Sequence, residues 1–146
     1  MPVPEQRFFV KLSLFLNGIW SIGFFTGLRI LLDVNLSSMF GILSVATLFF
    51  FFVSALTLSP KSQKLHGNLG MVLMGCLTLM KIAFGLIIIS QNILIGLFSS
   101  GIGLLETVVF AYLLAKNDLK LKGSYEVTYT TILSVWVLIL SLYMII

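Results

Sequence analysis

Two ionisable residues, Lys81 and Glu106, lie near the middle of long apolar stretches, and their side chains are the ones in this sequence best suited to chemistry. A charged side chain at the centre of a membrane-spanning helix costs about 3 kcal/mol to insert, so such residues commonly face a partner or a functional pathway. A lysine and a glutamate can form an ion pair, relay protons or ions, or bind a polar headgroup.

The positions of Lys81 and Glu106 predict that the two side chains meet. If their stretches form antiparallel helices, the two Cα atoms differ in depth by about 6 Å. Helical side chains lean towards the N-terminus of their own helix, so these two lean towards each other. Thr78 shares a helical face with Lys81, and Ser99 and Gly103 share one with Glu106. These small and polar residues are therefore predicted to line the pair inside a bundle.

Two interpretations of the pair stay open. In the first, a structural ion pair fixes the register of neighbouring helices or contacts a partner subunit. In the second, the pair is a proton or ion relay, or a site for a polar lipid or substrate headgroup. A transport pathway usually needs further polar lining, for which the sequence offers Asn17, Thr78, Ser99 and Gln91.

A second group of candidate residues lies near the ends of the apolar stretches. Arg29 and Asp33 are spaced i to i+4, which favours a local ion pair. In the alternative, Arg29 belongs to an anion or headgroup site. The other members of that site would be Glu106, or the loop residues Gln91 and Asn92.

The elements that must position these residues are membrane-spanning helices. Hydrophobic residues make up 59% of the 146 residues and charged residues 10%, with a mean hydropathy of +1.13, far outside the range of soluble domains. Apolar stretches of about 20 residues predict five spans, at roughly 8–31, 38–58, 69–89, 93–115 and 128–146. Pro60 and Gly123 are predicted to end helices. We expect an all-α, polytopic membrane helix bundle forming one domain over residues 1–146.

The distribution of basic residues predicts the orientation of the bundle. Five spans place the N-terminus and the second and fourth loops on one side, with Arg7, Lys11, Lys61, Lys64, Lys116, Lys120 and Lys122. The opposite side has Arg29. Because positive charge marks the inner face, the N-terminus is predicted inside and the C-terminus outside. The net charge of +4 is thus a topology signal, and no nucleic-acid partner is predicted.

Small residues predict where helices pack closely. Gly23 and Gly27 form a Gly-xxx-Gly spacing in the first span, and Gly96 with Ser100 gives a similar spacing in the fourth, which also contains Gly103. Such spacings promote close packing, either within the chain or against another subunit.

Aromatic residues are predicted at two depths. Tyr112, Tyr125 and Tyr129 gather near the inner membrane boundary, as interfacial aromatics do. Trp20 and Trp136 lie deeper and are predicted to be packing residues.

The sequence excludes several classes of site. A single histidine, His66, predicted in a loop, rules out a histidine-based metal cluster within one chain, and a single cysteine, Cys76, rules out an internal disulfide. Phosphate-binding, dinucleotide-binding and hydrolase motifs are absent from the sequence. No catalytic residue, metal or cofactor is predicted, and bound lipid is compatible with the composition.

The sequence therefore predicts a multi-pass integral membrane protein without catalytic activity. We expect an accessory or structural subunit of a larger membrane complex, whose partners are the lipid bilayer and other membrane subunits or further copies of the chain. One alternative is a small oligomeric transporter or channel in which Glu106 titrates beside Lys81. Another is a lipid-binding or lipid-modifying protein.

Overall fold

The computed structural model describes the backbone of residues 4–57, 59–116 and 119–146, and the side chains of 6–57, 59, 61–62, 64–116 and 127–146. Its helices are α1 (Pro4–Leu31), α2 (Met39–Leu56), α3 (Gln63–Ile88), α4 (Ile93–Lys116) and α5 (Leu119–Ile145), with a short 3₁₀ turn at Pro60–Ser62. Among the described residues, five helical segments are long and apolar enough to cross a membrane: Gln6–Leu31, Met39–Leu56, Lys64–Ile88, Ile93–Lys116 and Val127–Ile145. The prediction of an all-α fold with five candidate spans is confirmed.

Two helices begin well before the apolar stretches that predict them. α3 begins at Gln63 and α5 at Leu119, because helical hydrogen bonding continues through polar residues that a hydropathy pattern assigns to loops. Gly123 lies inside α5, so the prediction that it ends a helix is wrong. Glycine weakens a helix by about 1 kcal/mol relative to alanine without breaking it.

His66 also lies in a helix and not in the predicted loop. It belongs to the first turns of α3. Its Nδ1 lies 2.8 Å from the carbonyl oxygen of Ser54 in α2 and, because a carbonyl can only accept, donates a hydrogen bond there. The bond attaches the start of α3 to the end of α2.

The chain divides into two compact units, a first unit of Met1–Leu77 and a second unit of Thr78–Ile146. The boundary falls within α3, so each unit contains part of that helix. The single domain that the span pattern predicts stays a prediction.

In the first unit, a tight turn joins α1 to α2. Asp33 has a positive φ of 52°, and the Val34 and Asp33 amides donate to the carbonyls of Arg29 and Ile30, which ends α1 in a Schellman-type cap. Ser38 caps the N-terminus of α2, because its Oγ accepts a 3.0 Å hydrogen bond from the Gly41 amide. The cap turns the chain sharply, so Asp33 does not continue the helical face of Arg29.

The contact between α1 and α2 is apolar where the structure specifies it. The rings of Phe15 and Phe52 pack edge to face with centroids 5.5 Å apart, and Gly18 lies directly against the Phe52 ring. Phe25 and Leu28 of α1 and Phe40 of α2 are buried. Aromatic and aliphatic packing therefore joins these two helices.

In the second unit, residues 89–92 join α3 to α4 in a short turn, so the two helices form a hairpin. Asn92 begins α4, because its Oδ1 accepts a 3.1 Å hydrogen bond from the Ile95 amide. α5 buries Tyr129, Trp136 and Leu140, whose spacing of seven and four residues places them on one helical face.

Candidate functional site in the second unit

The two central charges form a buried ion pair. Lys81 Nζ, in α3, lies 2.6 Å from Glu106 Oε1 and 2.7 Å from Oε2, in α4. Their side chains are 0% and 2% exposed, so the pair lies out of contact with solvent. An ammonium bonded to both carboxylate oxygens offsets much of the cost of burying two charges, and removing either partner would leave the other uncompensated.

Thr78 completes the surroundings of the carboxylate. Its hydroxyl donates a 3.0 Å hydrogen bond to Glu106 Oε2. Thr78 precedes Lys81 by nearly one helical turn, so both side chains reach Glu106 from one face of α3. The carboxylate is therefore held by two donors on the same helix.

A second set of hydrogen bonds joins α3, α4 and α5 at Ser99, about two turns of α4 from Glu106. Ser99 Oγ, in α4, donates to the Lys81 carbonyl oxygen at 2.7 Å, and Trp136 Nε1, in α5, donates to Ser99 Oγ at 2.8 Å. Ser99 and Trp136 are both 0% exposed. Through Ser99, these two bonds connect Trp136 of α5 to the backbone of Lys81, whose side chain makes the ion pair.

Two aromatic rings of α5 cover the ammonium. Lys81 Nζ lies 4.5 Å from the centroid of the Tyr129 ring and 6.0 Å from that of Trp136. Both distances fall in the range in which the negative face of a ring attracts a cation. Tyr129 is 2% exposed and belongs to the interior of the second unit, while its position near the inner membrane boundary stays a prediction. Tyr112, by contrast, is 55% exposed, and Tyr125 lies outside the residues whose side chains are described.

Glycines allow α3 and α4 to approach closely enough for these bonds. A Cβ atom added to Gly85 would lie 2.6 Å from the Gly96 carbonyl oxygen and from the Ser100 amide nitrogen. One added to Gly103 would lie 2.5 Å from Ile82 Cγ1 and 3.1 Å from the Thr78 carbonyl oxygen. The packing role predicted for Gly96 and Gly103 is thus explained by backbone contact with α3. The bonded and packed side chains around the ion pair are called the charged network: Thr78, Lys81, Ser99, Glu106, Tyr129 and Trp136.

The other candidate residues lie outside the charged network. Asn17 is exposed on α1 and its side-chain amide donates to Ser13 Oγ at 3.3 Å. Gln91 is exposed in the α3–α4 turn, where Asn92 serves as the cap of α4. Arg29 belongs to the first unit and is half-buried.

The predicted ion pair of Arg29 and Asp33 does not form in the part of the chain that the structure describes. The left-handed conformation of Asp33 takes its side chain off the helical face that the i to i+4 spacing assumes.

Gly23 and Gly27 differ from the glycines of the second unit. An added Cβ at Gly23 would find no atom within 4 Å, and Gly23 is exposed on α1. Gly27 is half-buried.

The charged network defines what the site can do chemically. A carboxylate with an ammonium on both oxygens and a hydroxyl on one can hold a cation and join helices. The described residues contain no group of three or more His, Cys, Asp or Glu side chains that could hold a metal ion.

Comparisons with protein families, curated proteins and solved structures return no match to this chain.

Tyr129 and Trp136 are the members of the site that sequence reasoning missed. The sequence of α5 does contain a signal, because Tyr129, Trp136 and Leu140 are spaced i, i+7 and i+11. That spacing indicates one inward face, which brings the aromatic pair to neighbouring helices.

Proposed function

We propose that this chain is a non-catalytic accessory or structural subunit of a larger membrane complex. The observation that carries the proposal is the bonding within the charged network: the ammonium and the carboxylate bind each other, and the Ser99 hydroxyl joins the Trp136 ring nitrogen to the Lys81 carbonyl. A network whose donors and acceptors satisfy each other stabilises one arrangement of helices. Such an arrangement suits a protein that presents a fixed surface to neighbouring subunits.

The exposed surface of the helices supports the same proposal. α4 exposes a series of large aliphatic residues, among them Leu94, Leu97, Leu104, Leu105 and Val108. In a bilayer this surface faces lipid or other spans, and the bare Gly23 on α1 permits close approach of another helix. Both features favour contact with membrane partners.

We further propose that the N-terminus lies on the inner side of the membrane and the C-terminus on the outer side. The proposal rests on the basic residues at the N-terminus and in the second and fourth connections. Reporter fusions after Ile146 and within the α1–α2 connection should report the outer side, and a fusion at the N-terminus the inner side. A C-terminal reporter on the inner side would contradict the orientation.

The first experiment is gentle purification of the protein from its native membrane, followed by mass spectrometry of everything that remains bound. We expect stoichiometric membrane proteins to co-purify with the wild-type chain. Lys81→Met and Glu106→Gln should each reduce recovery of the complex, and the double variant should recover part of it. Arg29→Met is the matched control, since it removes a charge outside the network. A self-contained assembly without other proteins would contradict the subunit proposal.

The second candidate function is a small transporter, and the observation in its favour is a carboxylate held beside an ammonium within a bundle of apolar helices. Ionisable groups at such positions often mark ion or proton pathways. For a transporter, the purified chain alone in liposomes should move a solute, and Lys81→Met/Glu106→Gln should fold without moving it. The lipid-binding alternative stays a prediction, and its test is co-purified lipid whose occupancy depends on Arg29 and Glu106.

A further inference from the structure

The surroundings of Lys81 Nζ match the chemistry of a primary ammonium ion. Two carboxylate oxygens of Glu106 accept its N–H groups at 2.6 and 2.7 Å, and the face of the Tyr129 ring lies 4.5 Å away. The Trp136 ring borders the same space at 6.0 Å. A carboxylate combined with aromatic faces is the arrangement with which proteins recognise free ammonium ligands.

The surroundings are also held in place by bonds that do not involve the ammonium. Thr78 donates to the carboxylate, and Trp136 is fixed through its ring nitrogen to Ser99. These bonds, from Thr78 of α3 and to Ser99 of α4, position the carboxylate and one of the rings. The placement of the carboxylate and the Trp136 ring around the ammonium therefore does not depend on the lysine side chain alone.

We propose that Glu106, Thr78, Tyr129 and Trp136 form a binding site for primary alkylammonium ions, and that Lys81 is its tethered occupant. In the wild-type protein the ammonium group of Lys81 itself occupies the site. Removal of the lysine side chain would leave a negatively charged cavity with the shape of a short alkylammonium ion. This proposal holds whether or not the chain is a subunit of a complex.

The length of the missing side chain predicts which ligand fits. Lys81→Ala removes every atom beyond Cβ, which corresponds to n-propylammonium, since the lysine stem has four carbons. Lys81→Gly removes one carbon more and should shift the preference to n-butylammonium. Tetramethylammonium has no N–H to give the carboxylate, and sodium has no alkyl group to fill the apolar part of the cavity, so neither should bind well.

The test is thermal unfolding of the purified Lys81→Ala variant in detergent, with n-propylammonium chloride as the probe. We expect Tm to fall relative to wild type and to rise again with n-propylammonium in a saturable manner, as for a ligand that binds the folded state. Methylammonium, tetramethylammonium and sodium at equal concentration should restore much less. Wild type and Lys81→Ala/Glu106→Gln should show no saturable rise.

A second readout covers the case in which Lys81→Ala does not fold by itself. The variant is then expressed and extracted with and without n-propylammonium, and the yield of monodisperse protein is measured. Amine-dependent recovery supports the site, as does a shift of the best chain length from propyl to butyl between the alanine and glycine variants. Equal effects of all the cations, or no recovery in either readout, would overturn the proposal. Neither result depends on whether partner proteins co-purify with the wild-type chain.

Discussion

The two units of this chain use similar serine and threonine residues in different ways. In α2 of the first unit, Ser44 and Thr47 donate to carbonyl oxygens four residues earlier in their own helix, both at 2.7 Å. In the second unit, Thr78 donates to a carboxylate and Ser99 to a backbone carbonyl of another helix. Ser44 and Thr47 thus bond back to their own helix, whereas Thr78 and Ser99 bond across to a neighbouring helix.

The residues at the two helix contacts differ. At the α1–α2 contact, the ring of Phe52 lies against Gly18 and Phe15, so an aromatic side chain fills the space beside the glycine. At the α3–α4 contact, Gly85 lies against the backbone of Gly96, and a hydroxyl can reach the facing helix. A neutral hydroxyl can bond the carbonyl one turn earlier in its own helix, and it can join helices where small residues bring a facing helix close.

The largest effect should come from separating the charges of the second unit. Glu106→Gln leaves a buried ammonium without its counter-charge, and we expect a loss of about 3–5 kcal/mol in the free energy of unfolding. Lys81→Met should cost a similar amount, and the double variant should be more stable than either single variant, because no uncompensated charge is left. Equilibrium unfolding in mixed detergent micelles measures all three.

Arg29→Met supplies the matched control in the first unit. Arg29 makes no ion pair with the described residues, so its removal should change stability by less than about 1 kcal/mol. If Glu106→Gln were no more damaging than Arg29→Met, the charged network would not be what distinguishes the second unit.

The next largest effect should come from the glycines at the two helix contacts. Gly85→Ala places a Cβ 2.6 Å from two backbone atoms of α4, so the helices must move apart, at a cost of about 1–3 kcal/mol. Gly18→Ala places a Cβ 2.9 Å from the tip of the Phe52 ring, and a side chain can move more easily than a backbone. The loss at Gly18 should therefore be smaller, as measured by thermal unfolding.

Gly101→Ala is the control for both glycine variants. An added Cβ there meets no atom within 4 Å, and alanine favours the helix over glycine by about 1 kcal/mol. We expect Gly101→Ala to be neutral or stabilising. Equal losses at Gly18 and Gly85 would show that a side-chain neighbour and a backbone neighbour oppose the added Cβ equally, which would contradict the difference between the two contacts.

A smaller effect should come from the ring over the ammonium. Tyr129→Leu removes the aromatic face 4.5 Å from Lys81 Nζ, and a buried cation–π contact contributes about 2 kcal/mol. Tyr129→Phe keeps the face and should retain more of the stability than Tyr129→Leu. Tyr112→Leu removes an exposed ring 5.8 Å from Lys116 and should have a much smaller effect. Thermal unfolding measures the three variants. Tyr129→Leu is also made in the Lys81→Met background, where no ammonium faces the ring. The part of the Tyr129→Leu loss that comes from the cation–π contact should be absent in that background, and the part that comes from packing should remain.

Much of the fold could be predicted from the sequence because long apolar stretches have few alternatives in a bilayer. The five helices follow from hydropathy alone, and the meeting of Lys81 and Glu106 follows from their depths and the direction of helical side chains. The starts of α3 and α5 could not be predicted in the same way, because hydropathy reports where a helix is apolar and not where its hydrogen bonding begins.

The part of the site contributed by α5 was harder to predict. The placement of Tyr129 near a polar stretch is typical of interfacial aromatics, and its burial depends on how α5 packs against α3 and α4. The i to i+4 rule failed at Arg29 and Asp33 because it assumes a continuous helix, whereas the chain turns at Asp33. A local pattern does not report the packing of α5 that buries Tyr129, nor the helix end that turns the chain at Asp33.

The smallest effect should come from the hydroxyls with which the comparison began. Ser99→Ala removes the acceptor of Trp136 Nε1 and the donor to the Lys81 carbonyl, and hydrogen bonds between membrane helices contribute about 0.6 kcal/mol each, so we expect a loss of about 1 kcal/mol. Ser44→Ala removes only a bond within α2 and should change stability less. In a Trp20→Phe background, the fluorescence of Trp136 should also change with Ser99→Ala and not with Ser44→Ala. Equal effects of the two serine variants on stability and fluorescence would mean that hydrogen bonds between helices and within one helix stabilise this fold alike. The two units would then differ in their buried charges and not in the use of their hydroxyls.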